Sequence, residues 1–549
     1  MLVDPKDIPA LYEKYGSLRA ISLAKKYSIG AVQRSYRKAV SQGMIAHVAM
    51  GAKTRDHQKS PQIAQRVKAL KTKRARHKAY ILTCAQNNTK VHEATWANLK
   101  AYAEHTGAKI FVSTFLYANR SSWQKNLDKG RAGKGERGNT ELWYDPTIIP
   151  YINNDRVEIA KGLVWCGEGN TLPTASDPLS QLEVYTGRKS MIYPHVKIAM
   201  ESIPSIGGSG VKLNFTTGTV TLRNYIQRKA GFLGEFHHCY GAAFVEVDDD
   251  GHWWVRQLNA DSEGTIHDLD IKIEGGKVTT GHCVEAITMG DVHVAQIDPA
   301  VRDATWGPGG MVDVLRPRFQ FIHDVLDFYS RSHWRIKDPY AMYQRHVLGK
   351  ADVEGEVRGV ANFLQWIKRD DCQTVVVNSN HDRHLARWLR ETDGRYDPIN
   401  AHFWSWLNLQ VMQHIMAAPN EEPDHLPLAL RGLYPDIEEK SNVYFIPPKA
   451  SFVICPKFGD GIECSLHFDQ GANGSRGSVR QMAKMIGRRS NGGHSHAARI
   501  YWGAWQAGTN SLLDLEFMGP LNACTHTDII THENGKRQMV TFYAGKWRA

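Results

Sequence analysis

AITMGDVH, residues 286–293, is an apolar run that ends in an aspartate and a histidine two residues apart. The run predicts a short buried strand with both polar side chains at its carboxyl end. Side chains alternate along an extended chain, so positions i and i+2 point the same way, and Asp291 and His293 can bind one cation. Two ligands do not hold a metal ion, so further ligands must come from elsewhere in the chain.

The composition is that of a globular protein. The chain has 549 residues, of which 42% are hydrophobic and 10% aromatic, and its length predicts about three domains. We find no apolar run near the roughly 18 residues of a membrane span and no signal-peptide pattern at the N-terminus. The eight cysteines form no C-x-x-C pair, which indicates reduced thiols. We therefore expect a soluble, cytoplasmic protein without a membrane partner.

The positive charge is concentrated at the N-terminus. Residues 1–80 hold 18 Lys and Arg against four Asp and Glu, a local net charge of +14, whereas the whole chain carries +12. A basic segment on a near-neutral body is typical of proteins that contact nucleic acid, because neutralising phosphates supplies most non-specific affinity. A solvated basic tail is the alternative interpretation.

The N-terminal residues predict a helix-turn-helix-like basic module at 1–50, followed by a basic linker at 51–78. Ser17 is the expected N-cap of the first helix, and Gly30 is expected to form the turn. In the second helix Val32, Tyr36 and Val40 are expected on the buried face. The outward-facing side chains expected to contact DNA are Gln33, Arg34, Arg37 and Lys38. Small three-helix units also bind proteins, so DNA binding is one of two alternatives.

Residues 79–285 predict a mixed α/β domain to which we assign no chemistry. Strands at 79–84 and 109–115 flank a helix at 91–106 and form a β-α-β unit, and hairpins are expected at 247–254 and 273–278. The Gly-rich basic loop at 119–139 either orders on nucleic acid or is a plain exposed loop. We expect His237, His238, Asp268 and Asp270 to be polar core or surface residues.

Several further acids, amides and histidines follow strand-like runs in residues 286–549. They are Asp324, Asp327, Asn380, His381, Asp382, His467, His494 and His496. In open α/β sheets, sites form at the carboxyl ends of strands. Oxygen and imidazole ligands without thiolate favour Mn²⁺, with Fe²⁺, Zn²⁺ or Mg²⁺ as alternatives. Two such ions can activate water for attack on a phosphoester.

The ordered motifs D-x-H, D-x-x-D, N-H-D, H and G-H-x-H resemble those of the calcineurin-like metallophosphoesterase superfamily, which includes SbcD-type nucleases, over residues 286–549. The resemblance implies a β-sandwich flanked by helices and two divalent metal ions. It implies Asp324 as the bridging ligand, His381 as the catalytic residue, and Asp327 and Asp382 as supporting residues. It implies that Asp291, His293 and His496 bind one metal ion. It implies that Asn380, His467 and His494 bind the second metal ion.

Two residues depart from the superfamily pattern, since His323 and Ser379 replace the usual glycines before the bridging Asp and before N-H-D. His333 and His384 are additional candidates for reaching the phosphate. The segment 471–478 is either a phosphate cradle or a flexible connector.

We therefore predict a metal-dependent DNase with DNA as its partner. Together with the basic N-terminus and the chain length, the segments 508–513 and 534–538 resemble the pre-early host-DNA-degrading nucleases of tailed bacteriophages. The alternatives are a phosphatase or RNA phosphodiesterase using the same site, and a DNA-binding regulator with a relic esterase domain. By analogy, a homo-oligomer assembled through residues 79–285 is also expected.

Overall fold

The computed structural model describes residues 3–15, 18–41, 72–74, 76–119, 142–206 and 210–549. The chain divides into two units, residues 1–71 and 72–549. The first is helical where it is described, and the second is mixed α/β. No helix in these ranges is both long and apolar enough to cross a membrane.

The described part of the first unit contains three α-helices, α1 (Ile8–Tyr15), α2 (Leu18–Lys25) and α3 (Ile29–Ser41). Ile8, Ile21 and Val32 are buried together in its core. The turn before α3 is made by Lys26, with φ 56°, and by Ser28, whose Oγ accepts a hydrogen bond from Ala31 N at 3.3 Å. Gly30 lies within α3, so the prediction that it forms the turn is wrong.

The other N-terminal predictions are only partly covered by the described residues. Arg34 and Lys38 are exposed, and Gln33 is half-buried. The side chains of Arg37 and Val40 lie outside the described part of the chain, as do Ser17, the linker residues 51–71 and most of the Gly-rich loop.

The described part of the second unit contains eleven α-helices, five β-sheets and several short 3-10 helices. The helices are α4 (Glu93–Thr106), α5 (Lys229–Phe236), α6 (Pro299–Trp306), α7 (Met311–Leu315), α8 (Pro339–Val347), α9 (Val353–Trp366), α10 (His384–Glu391), α11 (Ala401–Ala417), α12 (His425–Leu433), α13 (Ile437–Ser441) and α14 (Val479–Met485). The strands up to residue 285 are β1 (Lys73–Arg74), β2 (Ala79–Gln86), β3 (Lys109–Phe115), β4 (Arg156–Ala160), β5 (Leu163–Cys166), β6 (Ser190–Tyr193), β7 (Met200–Ile203), β8 (Ser205–Ile206), β9 (Lys212–Thr216), β10 (Gly241–Val247), β11 (Trp253–Asn259), β12 (Ile266–Asp268), β13 (Ile271–Glu274) and β14 (Lys277–Thr279). The remaining strands are β15 (Ala286–Asp291), β16 (Phe319–His323), β17 (Gln373–Val376), β18 (Val443–Phe445), β19 (Val453–Ile454), β20 (Ile462–Glu463), β21 (Arg489–Gly492), β22 (Arg499–Tyr501), β23 (Ala504–Gln506), β24 (Leu521–Asn522), β25 (Thr527–Thr531) and β26 (Arg537–Thr541).

A six-stranded sheet of order β18-β17-β16-β15-β25-β26 carries the polar strand ends. Strands β15 to β18 pair in parallel, and β25 and β26 run antiparallel to their neighbours. Alternate residues of β15 enter two different cores, since Ala286 packs against strands β19 and β20 whereas Ile287 packs against helices. The sheet is therefore buried on both faces, which explains the apolar runs that predicted it.

The second large sheet joins the two predicted domains of this unit. Its order is β1-β4-β5-β6-β9-β7-β22-β23-β21-β20-β19, and the antiparallel pair of β7 with β22 connects Met200 to Ile500. The boundary predicted at residue 285 therefore lies inside one unit, because strands from both sides of it share hydrogen bonds.

Most of the predicted local elements are present. Strands β2 and β3 are parallel on either side of α4, as the β-α-β prediction required. Hairpins join β10 to β11 and β13 to β14. One strand prediction was too long: β20 stops at Glu463, so His467 lies in a loop beyond it.

Candidate metal centre

The predicted ligands meet at one edge of the six-stranded sheet. Asp291 ends β15, Asp324 follows β16, and Asn380 follows β17 by a short loop. Because these strands are parallel, their carboxyl ends lie side by side. The histidines His467 and His494 come from loops that follow strands of the large sheet and reach the same edge.

Four buried side chains form a first ligand group, Asp291, His293, Asp324 and His496. One ligand atom from each lies within 4.8 Å of all the others. His293 Nε2 lies 3.1 Å from His496 Nε2 and 3.8 Å from Asp324 Oδ2. His496 Nε2 is 3.3 Å from Asp291 Oδ2. Two carboxylates and two imidazoles converging in this way fit a divalent first-row metal ion.

A second ligand group adjoins the first through Asp324. Asn380 Oδ1 lies 2.8 Å from His467 Nε2 and 3.1 Å from His494 Nδ1. His467 Nε2 lies 3.1 Å from Asp324 Oδ2. The structure thus brings together all seven side chains predicted as metal ligands, with Asp324 near both groups.

Two acids behind the ligands hold the loops in place. Asp327 Oδ1 accepts a hydrogen bond from His293 Nδ1 at 2.9 Å, which directs Nε2 toward the ligand group. Asp382 accepts hydrogen bonds from Leu326 N at 2.9 Å and Ser379 Oγ at 2.5 Å. Ser379 Oγ in turn accepts one from Asp324 N at 2.9 Å. The serine that replaces the expected glycine therefore connects the loops after β16 and β17.

The ligand loops have an unusual backbone. His293, Asp324, His494 and His496 have φ values of 45°, 44°, 90° and 57°, in the left-handed region that non-glycine residues seldom adopt. Such conformations persist where the surrounding structure enforces them, and they are concentrated at functional sites. Their occurrence at four of the seven predicted ligands supports a site shaped for binding.

The electrostatics of the centre favour a cation. Burial lowers the pKa of His467, but the carboxylates of Asp324 and Asp291 outweigh it and raise the pKa to about 9. Burial and the negative charge of Asp324 raise the pKa of Asp382 to about 7. The two central carboxylates thus create a strongly negative potential around the imidazole nitrogens.

His381 lies beside the ligands with one ring nitrogen already engaged. Its Nδ1 is 3.0 Å from the carbonyl oxygen of Asp327, which can only accept, so Nδ1 carries the proton. Its backbone N donates to Asp324 Oδ1 at 3.0 Å. Burial lowers the pKa of His381, but the charges of Asp324 and Asp327 raise it above its ordinary value. Nε2 is therefore the nitrogen that can exchange a proton.

A comparison with known proteins gives the chain a relative among bacteriophages. It is 36% identical over 484 residues to Protein A1 of Escherichia phage T5, an alignment that covers 86% of this chain and 83% of that protein. The chain belongs to the family of phage T5 Protein A1. No family model matches this A1-family protein, and no solved structure matches it. The expected bacteriophage origin is supported.

Three side chains near the centre of this A1-family protein were not predicted as site residues. His323 is buried, with Nδ1 3.3 Å from His467 Nδ1; its place beside Asp324 was the sequence signal. The ring centroid of Phe517 lies 5.2 Å from that of His381 and 5.9 Å from that of His496. Trp334 shares a cleft of about 830 Å³ with Asn380 and His381. Nothing in the local sequence marked Phe517 or Trp334.

Several polar groups outside the centre of this A1-family protein have structural contacts. Asp268 accepts hydrogen bonds from Arg256 Nε at 2.6 Å and Tyr102 Oη at 2.5 Å in the core, and His238 is buried, as expected for polar core residues. Asp248, Asp250 and His252 also cluster, but Asp248 already accepts from His252 N at 2.8 Å and Asp250 N at 3.1 Å within a tight turn.

Proposed function

We propose that this A1-family protein is a metal-dependent deoxyribonuclease that degrades host DNA in the host-cell cytoplasm. The observation that carries the proposal is the pair of adjoining ligand groups that meet at Asp324, with His381 beside them. Its layered architecture, with two sheets packed face to face and helices on the outer face of the six-stranded sheet, agrees with a metallophosphoesterase sandwich.

Two divalent cations are the proposed cofactors. We assign one to Asp291, His293 and His496 and the other to Asn380, His467 and His494, with Asp324 between them. When bound, such a pair supplies Lewis-acid activation of water and neutralises the phosphate charge. The oxygen and imidazole ligands favour Mn²⁺ over metals that prefer sulfur, and Fe²⁺, Zn²⁺ and Mg²⁺ are the alternatives.

His381 is the proposed proton donor. With Nδ1–H fixed on the carbonyl of Asp327, Nε2 can hold a second proton and deliver it to the leaving oxygen. Asp324 and Asp327 raise its pKa above the ordinary value, which increases the protonated fraction of the ring at a given pH. His381 also lines the cleft of about 830 Å³, where it can contact a substrate phosphate.

We propose that the N-terminal unit recruits DNA as a helix-turn-helix. Arg34 and Lys38 project from α3 into solvent, and we assign phosphate and base contacts to these two with Gln33 and Arg37. The charge of +14 over residues 1–80 favours a polymeric substrate over a small phosphoester. The complete ligand set argues against a relic esterase.

Cleavage of several nucleic acids tests the function. Linear duplex, closed circular and single-stranded DNA, and RNA, are incubated with Mn²⁺ or with EDTA. We expect Mn²⁺-dependent DNA cleavage that Asp291→Ala and His381→Ala abolish, while His346→Ala, an exposed site on α8, retains it. Undiminished cleavage by either site variant contradicts the mechanism. Cleavage of RNA alone, or of a small chromogenic phosphoester alone, identifies an alternative enzyme.

A further inference from the structure

A series of aromatic rings in tilted and edge contact leads from the metal centre to solvent. The ring centroids of His381 and His384 are 4.7 Å apart, those of His384 and His333 4.4 Å, and those of His333 and Trp334 4.2 Å. Trp334 is the last ring of the series, with 64% of its surface exposed. His333 contacts the indole at a tilt of 38°, and most of the indole surface remains accessible to a planar ligand.

The open indole and the metal centre share one cavity. Trp334, Asn380, His381 and His494 all line the cleft of about 830 Å³. Arg476 also lines it and is exposed. A cation and an open aromatic face along one groove are the two features by which proteins bind single-stranded nucleic acid, since the cation binds the backbone and the ring stacks on a base.

We propose that Trp334 stacks on an unpaired nucleobase of the strand whose phosphate lies at the metal centre. The proposal rests on the nuclease function and names its substrate as single-stranded DNA or a frayed duplex end. A base inside a duplex has both faces covered by its neighbours, so it offers none to the indole until it is unstacked. His384 and His333 then act as positioning residues, because their rings pack between the indole and His381.

The test compares binding of two labelled strands by fluorescence anisotropy with Mn²⁺, and both strands carry phosphorothioate linkages that resist cleavage. One strand is a ten-nucleotide oligothymidylate, and the other is an abasic strand of equal length with the same phosphates. We expect the full-length protein to bind the base-bearing strand about tenfold more tightly, the size of one base–aromatic stack. Trp334→Ala should reduce this ratio to near one, and Trp334→Phe should retain most of it.

Trp366→Ala is the matched control, because Trp366 is an exposed tryptophan on α9 that does not line the cleft. It should leave the ratio unchanged. The base contacts proposed for the N-terminal unit are to base edges in the major groove of a duplex, which neither single strand has. This unit is therefore expected to contact both strands through the same phosphates, so its contribution cancels in the ratio. A wild-type ratio in Trp334→Ala overturns the proposal, as does an equal loss in Trp366→Ala. A change of oligomeric state in Trp334→Ala without a change in ratio makes the indole a subunit contact and also overturns it.

The experiments distinguish failure of the stacking site from failure of the nuclease function. If Mn²⁺ supports no cleavage but Trp334→Ala abolishes base discrimination, the nuclease function fails and the stacking site stands. If DNA is cut and the variant still discriminates, the stacking site fails and the nuclease stands.

Discussion

Asp327 fixes the orientation of a proposed metal ligand without belonging to the ligand groups itself. Its carboxylate accepts the Nδ1 proton of His293 at 2.9 Å, leaving Nε2 for a metal ion. We predict that Asp327→Asn weakens Mn²⁺ binding about 10- to 100-fold, the usual loss for a residue behind a ligating histidine. Isothermal titration calorimetry measures the dissociation constant for Mn²⁺. Asp303→Asn, an exposed site on α6, is the control, and equal affinities for the two variants would refute the role of Asp327.

Gly493 packs so closely against Asp291 that a larger side chain does not fit there. A Cβ atom at this position would overlap Asp291 Oδ1, so Gly493→Ala must displace the carboxylate or the loop that holds His494. We expect a loss of about 100-fold in single-turnover DNA cleavage with Mn²⁺, the order found when a reacting group shifts by about 1 Å.

Gly359→Ala provides the comparison for that experiment. A Cβ there meets no atom within 4 Å on α9, so cleavage should match that of the wild type. Cleavage by Gly493→Ala at the rate of Gly359→Ala would show that Asp291 tolerates the displacement.

Strand β26 is tied to the neighbouring strands by one buried amide. Gln538 Nε2 donates to Gln257 O at 3.1 Å and Asp268 Oδ1 at 2.9 Å, and its Oε1 accepts from Leu269 N at 3.0 Å. Gln538→Leu removes these hydrogen bonds and leaves the buried Leu269 N without its acceptor, so the free energy of unfolding should fall by about 1–3 kcal/mol. Urea titration measures the change.

An exposed glutamine serves as the reference for the β26 variant. Gln227→Leu removes only surface contacts, and it should change the free energy of unfolding by less than about 0.5 kcal/mol. If Gln538→Leu is no less stable than Gln227→Leu, the amide does not join β26 to β11 and β12.

Sequence predicted best the elements whose burial requires a recognisable run of apolar residues. The strands β15, β16 and β17 are buried on both faces, so each reads as a continuous apolar run with polar residues beyond its end. The run before His467 was misread, because β20 pairs over only two residues before the chain leaves the sheet. The residue at which a strand stops pairing depends on its neighbouring strand. A local sequence pattern carries no information about that neighbour.

Acid should destabilise the second unit through buried neutral histidines. Burial is the main cause that lowers the pKa of His238 and His267 to about 3 and of His532 to about 4. In the unfolded chain these groups titrate near their ordinary value of about 6.5. Below that pH the unfolded state binds more protons, so stability falls as pH falls, by up to about 1.4 kcal/mol per pH unit for each histidine.

The measurement is the free energy of unfolding in EDTA between pH 7.5 and pH 5. His238→Gln should reduce the slope below pH 6 by the contribution of one proton, even if the variant is less stable at every pH. His346→Gln replaces an exposed side chain and should preserve the wild-type slope. An unchanged slope in His238→Gln would mean that this histidine is not held neutral in the folded protein.

The sequence by itself predicted the β-α-β unit and the strands β15, β16 and β17 with polar residues beyond their ends, because strand patterns are properties of short segments. The seven proposed ligands were predicted from the order of motifs that resembles the metallophosphoesterase superfamily. Tertiary structure alone decided that β7 and β22 join both halves of the second unit. It also decided that Ser379 links Asp324 to Asp382 and that Trp334 opens into the cleft beside His381. These features depend on contacts between residues far apart in the chain, which form only when complete sheets pack together.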